Sequence, residues 1–196
     1  MGKHTITAAD ILPNDQYTPK RWDYRRELTA IRKIRRAQVG PFVSLSFECF
    51  ETMWHQIQEM LYIEKGGDAQ LKDELEAYEP MIPKGHELTA TMMIEIDDER
   101  VRSRTLGLLG GIEDTLELSF NGETVTSKPE DDIERTRESG KTSSVHFLHF
   151  PFTSAQIKAF KVPGTEVVLA VKHKEYRHMT VLSEEMRQTL AGDLEG

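Results

Sequence analysis

The amino-acid sequence predicts an α+β fold in which N-terminal helices pack on one face of a mostly antiparallel sheet of about five strands. Helical periodicity dominates residues 1–80, whereas a period of two dominates residues 84–182. Because helices precede strands instead of alternating with them, a doubly wound dinucleotide-binding fold is disfavoured. We therefore expect one domain over residues 1–196, comprising the helical part, the sheet part and a charged loop at 128–142.

The strongest helical pattern covers residues 47–64. On a helix, one stripe of this segment is apolar and the opposite stripe carries Glu51, His55, Glu59 and Tyr62. The exception is Glu64, which falls on the apolar stripe and must be paired, protonated or solvated. We expect the polar stripe to face solvent, because such residues are usual on an exposed helix face.

Weaker helical signals flank this segment. A basic helix begins after Pro19, and a short amphipathic helix occupies residues 68–79 before Pro80 ends it. Residues 42–47 alternate like a short strand. Further along the chain, period-two patterns predict strands at 87–97, 111–120, 143–152 and 165–173, with a hairpin partner near 122–127 after Asn121 and Gly122.

Composition and charge exclude several classes of protein. The single cysteine, Cys49, excludes an internal disulfide, and no apolar run is long enough to span a membrane, so we expect a cytoplasmic protein. The net charge is −8, yet residues 1–40 carry nine Lys or Arg against four Asp or Glu. We interpret the basic helix as docking on the acidic body of its own domain, which disfavours nucleic acid as a partner.

Several segments together carry a family resemblance over most of the chain: RKIRRAQVGP, HQIQEMLYIE, ELEAYEPMIPKGHELTATMMIE and SVHFLHF. They resemble the bacterial family called domain of unknown function 3501. The most specific positions are Glu48, Gln56, Glu59, Met60, Glu64, Pro83, Glu87, Leu88, Thr91 and Glu95. In the family, Asn usually follows the Phe-Glu pair, whereas Cys49 stands here. The resemblance implies no established activity. It does imply that genes of the family often lie near genes for rubrerythrin-like di-iron proteins and iron-sulfur oxidoreductase subunits.

The polar stripe suggests one metal hypothesis. Glu51, His55 and Glu59 are spaced i, i+4 and i+8, so two carboxylates and an imidazole share one helix face. These ligand types suit iron, manganese or zinc. Ferritin-like di-iron sites, however, repeat Glu-x-x-His motifs on two helices of a bundle, and this chain has a single long striped helix.

A second hypothesis uses the strands. Alternation places His146 and His173 with apolar residues on the inward faces of their strands. If these strands are neighbours, the two imidazoles converge with Glu95 to form a polar site. The alternative is that each histidine is a core residue satisfied by a backbone carbonyl or a nearby carboxylate.

Two functional hypotheses follow. The first is an accessory or interaction protein of a cytoplasmic redox system that contacts an oxidoreductase subunit. The alternative is a small metal-dependent enzyme with a site between the helix at 50–65 and the sheet, its ligands being Glu59 and Glu64, or else His146 and His173.

Overall fold

The computed structural model describes residues 3–130 and 141–196. Its α-helices are α1 Asn14–Tyr17, α2 Arg21–Arg35, α3 Phe50–Glu64, α4 Gly67–Tyr78, α5 Glu99–Leu108, α6 Ser154–Lys161 and α7 Glu184–Ala191. Its strands are β1 Arg36–Val39, β2 Val43–Phe47, β3 Glu87–Ile94, β4 Leu116–Phe120, β5 Glu123–Thr126, β6 Lys128–Pro129, β7 Val145–Pro151, β8 Val168–His173 and β9 Tyr176–Val181. None of the helices within these ranges combines the length and the apolar character needed to cross a membrane.

The predicted α+β class is confirmed, and the described strands form two antiparallel sheets. The order is β1-β2-β3-β7-β6 in the five-stranded sheet and β5-β4-β8-β9 in the four-stranded sheet. Alternate residues of both sheets enter one apolar core, among them Leu45, Met92, Leu148, Leu118 and Leu169. The sequence predicted fewer strands because β1 has only four residues, and because three consecutive residues of β9 are exposed, which hides the alternation.

The helical layer lies on the other face of the five-stranded sheet. Helix α3 packs there through a second apolar cluster that includes Met53, Ile57 and Ile82. Its first turn begins after Cys49, whose backbone N–H donates to Oγ1 of Thr52 at 2.9 Å. The Cys49 position therefore still starts the helix, although an Asn side chain is absent there.

Helix α2 covers the side of α3 that the sheet does not contact. Leu28 is buried in this packing, and the Tyr24 ring of α2 lies edge-on to that of Trp54, with centroids 5.0 Å apart. The polar stripe of α3 is thus largely covered by a helix, whereas the prediction placed it in solvent; Glu51 alone of its four residues is exposed. The basic helix does pack on the rest of its own chain, although Trp22 remains 71% exposed.

The turn after β1 joins the two sheets. The Tyr176 hydroxyl donates to the Val39 carbonyl at 2.6 Å and accepts from the Val43 N–H at 3.3 Å. Gly40 has φ +75° there, and a Cβ would lie 2.5 Å from side-chain atoms of Tyr176 and His178. Glycine is required at this position by both backbone conformation and space.

The charged loop predicted at 128–142 falls partly outside the described residues. Residues 131–140 are not described, whereas Lys128–Pro129 form β6 beside β7. Helices α5, α6 and α7 were not predicted. They are only 8–10 residues long and lie between or after strands, where the period-two pattern dominates the sequence.

Candidate functional site

The two predicted ligands at the C-terminal half of α3 have other partners. Glu59 accepts hydrogen bonds from the Tyr17 hydroxyl at 2.6 Å and from Arg21 at 2.7 and 2.8 Å. The Arg21 guanidinium lowers the pKa of Glu59 to about 2. Glu64 is exposed and accepts from the Gln70 amide at 3.0 Å. These carboxylates stabilise the helical layer and the α3–α4 junction.

Glu51 and His55 lie one turn apart on α3. Glu51 is exposed, whereas His55 is 7% exposed beneath α2, and burial lowers the pKa of its imidazole. Both residues line a cavity of about 170 Å³ between α2 and α3. Because Glu59 is bound to Arg21, the predicted trio does not share one open site.

His146 and His173 are buried, but they belong to different sheets. His146 lies on β7, which pairs with β3 and β6, whereas His173 lies on β8, which pairs with β4 and β9. The Nε2 atom of His146 is 3.0 Å from the Ser143 carbonyl oxygen, and that of His173 is 3.2 Å from the Gly110 carbonyl oxygen. Their strands are not neighbours, so the condition for convergence is not met.

Glu95 follows β3 and lies near the outer surface. It accepts from the Ser44 hydroxyl at 2.7 Å and pairs with Arg36. Hydrogen bonds from Ser44 and then from Arg36 lower its pKa. Across residues 3–130 and 141–196, no group of three or more His, Cys, Asp or Glu is arranged to hold a metal ion. Metal binding therefore stays a prediction, without a converged ligand set among these residues.

A different constellation lies between the helical layer and the five-stranded sheet. A cleft of about 360 Å³ opens there, with a floor formed by adjacent strands and walls from three helices. In the floor, Arg36 pairs in register with Ser46, Ser46 with Thr91, and Thr91 with Phe147. Cross-strand partners lie on the same face, so this row runs across four strands. The remaining lining residues are Arg32 of α2, Glu48 between β2 and α3, Met53 and Gln56 of α3, Tyr78 of α4, Met93 of β3 and Val145 of β7.

The buried group in this cleft is Glu48. It continues the alternation of Ser44 and Ser46 beyond the end of β2, and it is 6% exposed. Its Oε1 accepts from the Thr91 hydroxyl at 2.6 Å, and its backbone N–H donates to the Thr89 carbonyl at 2.8 Å. Burial raises the pKa of Glu48, against the opposing effect of hydrogen bonds from Thr52 and Thr91. Burial therefore shifts this carboxyl towards its neutral form, in which it can donate a hydrogen bond, while the charges of two nearby arginines oppose that shift.

The two arginines of the cleft differ in their pairing. Arg36 forms an ion pair with Glu95, whereas no ion pair or hydrogen bond engages the Arg32 side chain within the described ranges. On the opposite wall, the Gln56 amide lies 3.5 Å from the Tyr78 hydroxyl, and the Tyr78 ring is edge-on to Phe147. The cleft thus combines a guanidinium, a buried acid and several apolar side chains.

This combination suits binding better than covalent catalysis. The described lining contains no histidine, cysteine or lysine that would activate the Ser46 or Thr91 hydroxyl as a nucleophile. A larger groove, of about 580 Å³, lies between α2, β1 and residues 180–186, but all its charged residues are exposed. A mostly apolar cleft with a few convergent polar groups and a titratable group of shifted pKa is typical of a ligand site.

Sequence reasoning missed the functional grouping of Glu48 and Arg32. Glu48 belongs to the positions that carry the family resemblance, but its role was not assigned. The sequence feature that indicates this role is the alternation of Ser44, Ser46 and Glu48, which places the Glu48 carboxyl on the same face of the strand as the two serines. No comparable signal identifies Arg32, because its approach to the cleft depends on how α2 crosses α3.

Comparison with known proteins agrees with the resemblance. The family model "Protein of unknown function (DUF3501)" matches residues 5–194. The chain is also similar to a crystal structure, at 1.90 Å resolution, of a novel protein of unknown function from Burkholderia pseudomallei K96243. The identity is 34%, the TM-score is 0.91, and the alignment covers 97% of this chain and 100% of that chain. No curated protein is significantly similar.

Proposed function

Because the chain belongs to the DUF3501 family of proteins of unknown function, we propose its function from the cleft: it binds a small organic molecule between α2, α3 and the five-stranded sheet. The observation that carries this proposal is Glu48, a carboxyl that is 6% exposed yet lines an open cleft of about 360 Å³. Burying a carboxyl is costly, and such groups are concentrated at functional sites.

The polar groups of the cleft come from separate elements, which supports a role in recognition. Arg32 lies on α2, Glu48 follows β2, Gln56 lies on α3 and Thr91 lies on β3. A ligand bridging these groups would hold the helical layer against the sheet. This arrangement provides orientation through hydrogen bonds and affinity through the apolar floor.

Within this proposal, the protein is an accessory protein of a cytoplasmic redox system, and its partner is an oxidoreductase subunit. This role is supported by the gene neighbourhood that the family resemblance implies. The uneven charge of the chain, basic in residues 1–40 and acidic beyond, also supports contact with a partner of complementary charge. Co-purification of a tagged chain with an iron-sulfur oxidoreductase subunit from a bacterial lysate tests this role, and its absence in repeated captures contradicts it.

The alternative of a small metal-dependent enzyme has a direct test as well. Elemental analysis of protein purified without an affinity metal tag measures iron, manganese and zinc per chain. Near-stoichiometric metal that is lost in a folded His146→Ala or Glu59→Ala variant would support the enzyme. Metal-free, folded protein would remove it.

The binding proposal is tested by blocking the cleft. We expect a library of small organic molecules to contain members that raise the thermal midpoint of the protein, since ligands that bind only the folded state stabilise it. Ser46→Phe places a ring on the cleft floor and should abolish these shifts. Gln38→Phe, on the same sheet face but outside the cleft lining, is the matched control and should retain them. Shifts that survive in Ser46→Phe would place the binding elsewhere and refute the proposal.

A further inference from the structure

We infer that the cleft recognises a monocarboxylic acid with a small apolar body, whose carboxylate binds Arg32 while its apolar body lies on the sheet floor. This inference rests on the proposed binding function and adds the chemical class of the ligand. Three features of the cleft carry it: an arginine that no described residue engages in an ion pair or hydrogen bond, a set of apolar lining side chains, and a buried acid.

Arg32 supplies the anion site. Its side chain lines the cleft and has no ion pair within the described ranges, whereas the neighbouring Arg36 is already paired with Glu95. A guanidinium binds a carboxylate through two parallel hydrogen bonds, which fixes orientation as well as charge. With one unpaired guanidinium and a carboxyl nearby, the cleft suits one negative charge better than the multiple charges of a phosphate ester.

The floor selects an apolar body. Met53, Met93 and Phe147 line the part of the cleft between α3 and the sheet, and thioether side chains adapt to irregular ligands. Its volume of about 360 Å³ is near the lower end of the range of about 300–1,000 Å³ for small-molecule sites. A single ring or a short alkyl chain fits this space.

Glu48 adds selectivity for an acid over an amine. A neutral carboxyl donates a hydrogen bond to a ligand oxygen, whereas an ionised one would attract an ammonium group. The charged or titratable groups that surround Glu48 are Arg32 and Arg35 of α2, Arg36 of β1 and Tyr78 of α4. Helix α3 and the other strands add none to the described lining. Burial raises the pKa of Glu48, so binding of the acid should weaken as the pH rises and this carboxyl loses its proton.

The first experiment compares matched probes by isothermal titration calorimetry. Phenylacetate and hexanoate are titrated against their amides and against phenethylamine. We expect each acid to bind about tenfold or more tightly than its amide, as one charge-assisted bidentate contact allows. Equal binding of acid and amide, or tighter binding of the amine, would overturn the assignment of the ligand class.

Variants then assign the recognition to particular residues. Arg32→Gln should remove the preference for the acid, whereas Lys33→Gln, one residue along α2 and outside the cleft, should retain it. Glu48→Gln keeps a hydrogen-bond donor, so it should bind the acid with a weaker pH dependence than the native protein. A preference that survives in Arg32→Gln contradicts the inference.

Failure of the inference is distinguishable from failure of the binding function. If library members bind in a manner that Ser46→Phe abolishes, but acids have no advantage, the ligand class is wrong and the binding site stands. If neither the library nor the acids bind in this cleft, both are refuted.

Discussion

A buried ion pair anchors the end of α2 to the C-terminal segment, and its removal should destabilise the fold strongly. Arg35 donates from its two terminal nitrogens to the Asp193 carboxylate at 2.7 and 2.9 Å, and it also donates to the Glu48 carbonyl at 3.2 Å. The exposed fractions of the two side chains are 9% and 12%. Asp193→Ala leaves a buried guanidinium without its carboxylate, a change that costs about 3–5 kcal/mol.

Urea denaturation followed by circular dichroism measures this loss. For a slope of about 2 kcal/mol per molar urea, a loss of about 3–5 kcal/mol lowers the midpoint by about 1.5–2.5 M. Asp73→Ala, at an exposed position of α4, is the control and should change stability by less than about 0.5 kcal/mol. Replacing both partners, as Arg35→Met with Asp193→Leu, should restore most of the loss, because no buried charge then remains unpaired. A loss below about 1 kcal/mol in Asp193→Ala would refute the reasoning.

Three further predictions follow from groups with shifted pKa values. Glu59→Gln should lower the free energy of unfolding at pH 7 by about 2 kcal/mol. Because Arg21 depresses the pKa of Glu59 from 4.5 to about 2, this difference should shrink as the pH falls through that interval; pH-dependent urea midpoints measure it. Hydrogen bonds from the two ring nitrogens of His149, first to Glu87 and then to Glu130, raise the pKa of this imidazole in the folded protein. The stability that this histidine contributes is therefore complete below its pKa in the unfolded chain, and it is lost as the pH rises through its pKa in the folded protein. A histidine NMR titration should show the raised pKa, and an unshifted one would contradict the geometry. Burial raises the pKa of the Cys49 thiol to about 11, so it should react with a disulfide reagent at pH 8 only after unfolding.

The fold was predictable wherever the apolar residues of a single helix or strand recur at the spacing typical of that element. Residues 50–64 form α3 because apolar side chains recur at helical spacing, and that stripe does pack on the sheet. By contrast, β9 was missed because Arg177, His178 and Met179 are all exposed on an edge strand. Its identity as a strand comes from pairing with β8, which is a tertiary contact that local alternation does not report.

The candidate site was only partly predictable for a related reason. The inward direction of His146 and His173 follows from alternation, yet strand order places them on different sheets. Likewise, the polar stripe of α3 has the composition of a solvated face, but α2 covers most of it and Arg21 binds Glu59. A pattern gives the face of an element, whereas the partner of that face depends on how distant segments pack.

The central claim, that the cleft between α3 and the sheet binds a ligand, is tested most directly by NMR of methionine methyl groups. Met53 and Met93 line the cleft, whereas Met179 is 72% exposed on β9 and serves as the internal reference. Titration with phenylacetate, and with the strongest member of the library, should shift the signals of Met53 and Met93 in a saturable manner and leave that of Met179 unchanged. Saturable shifts confined to Met179 or to other methionines, or no shift at any of them, would contradict the claim.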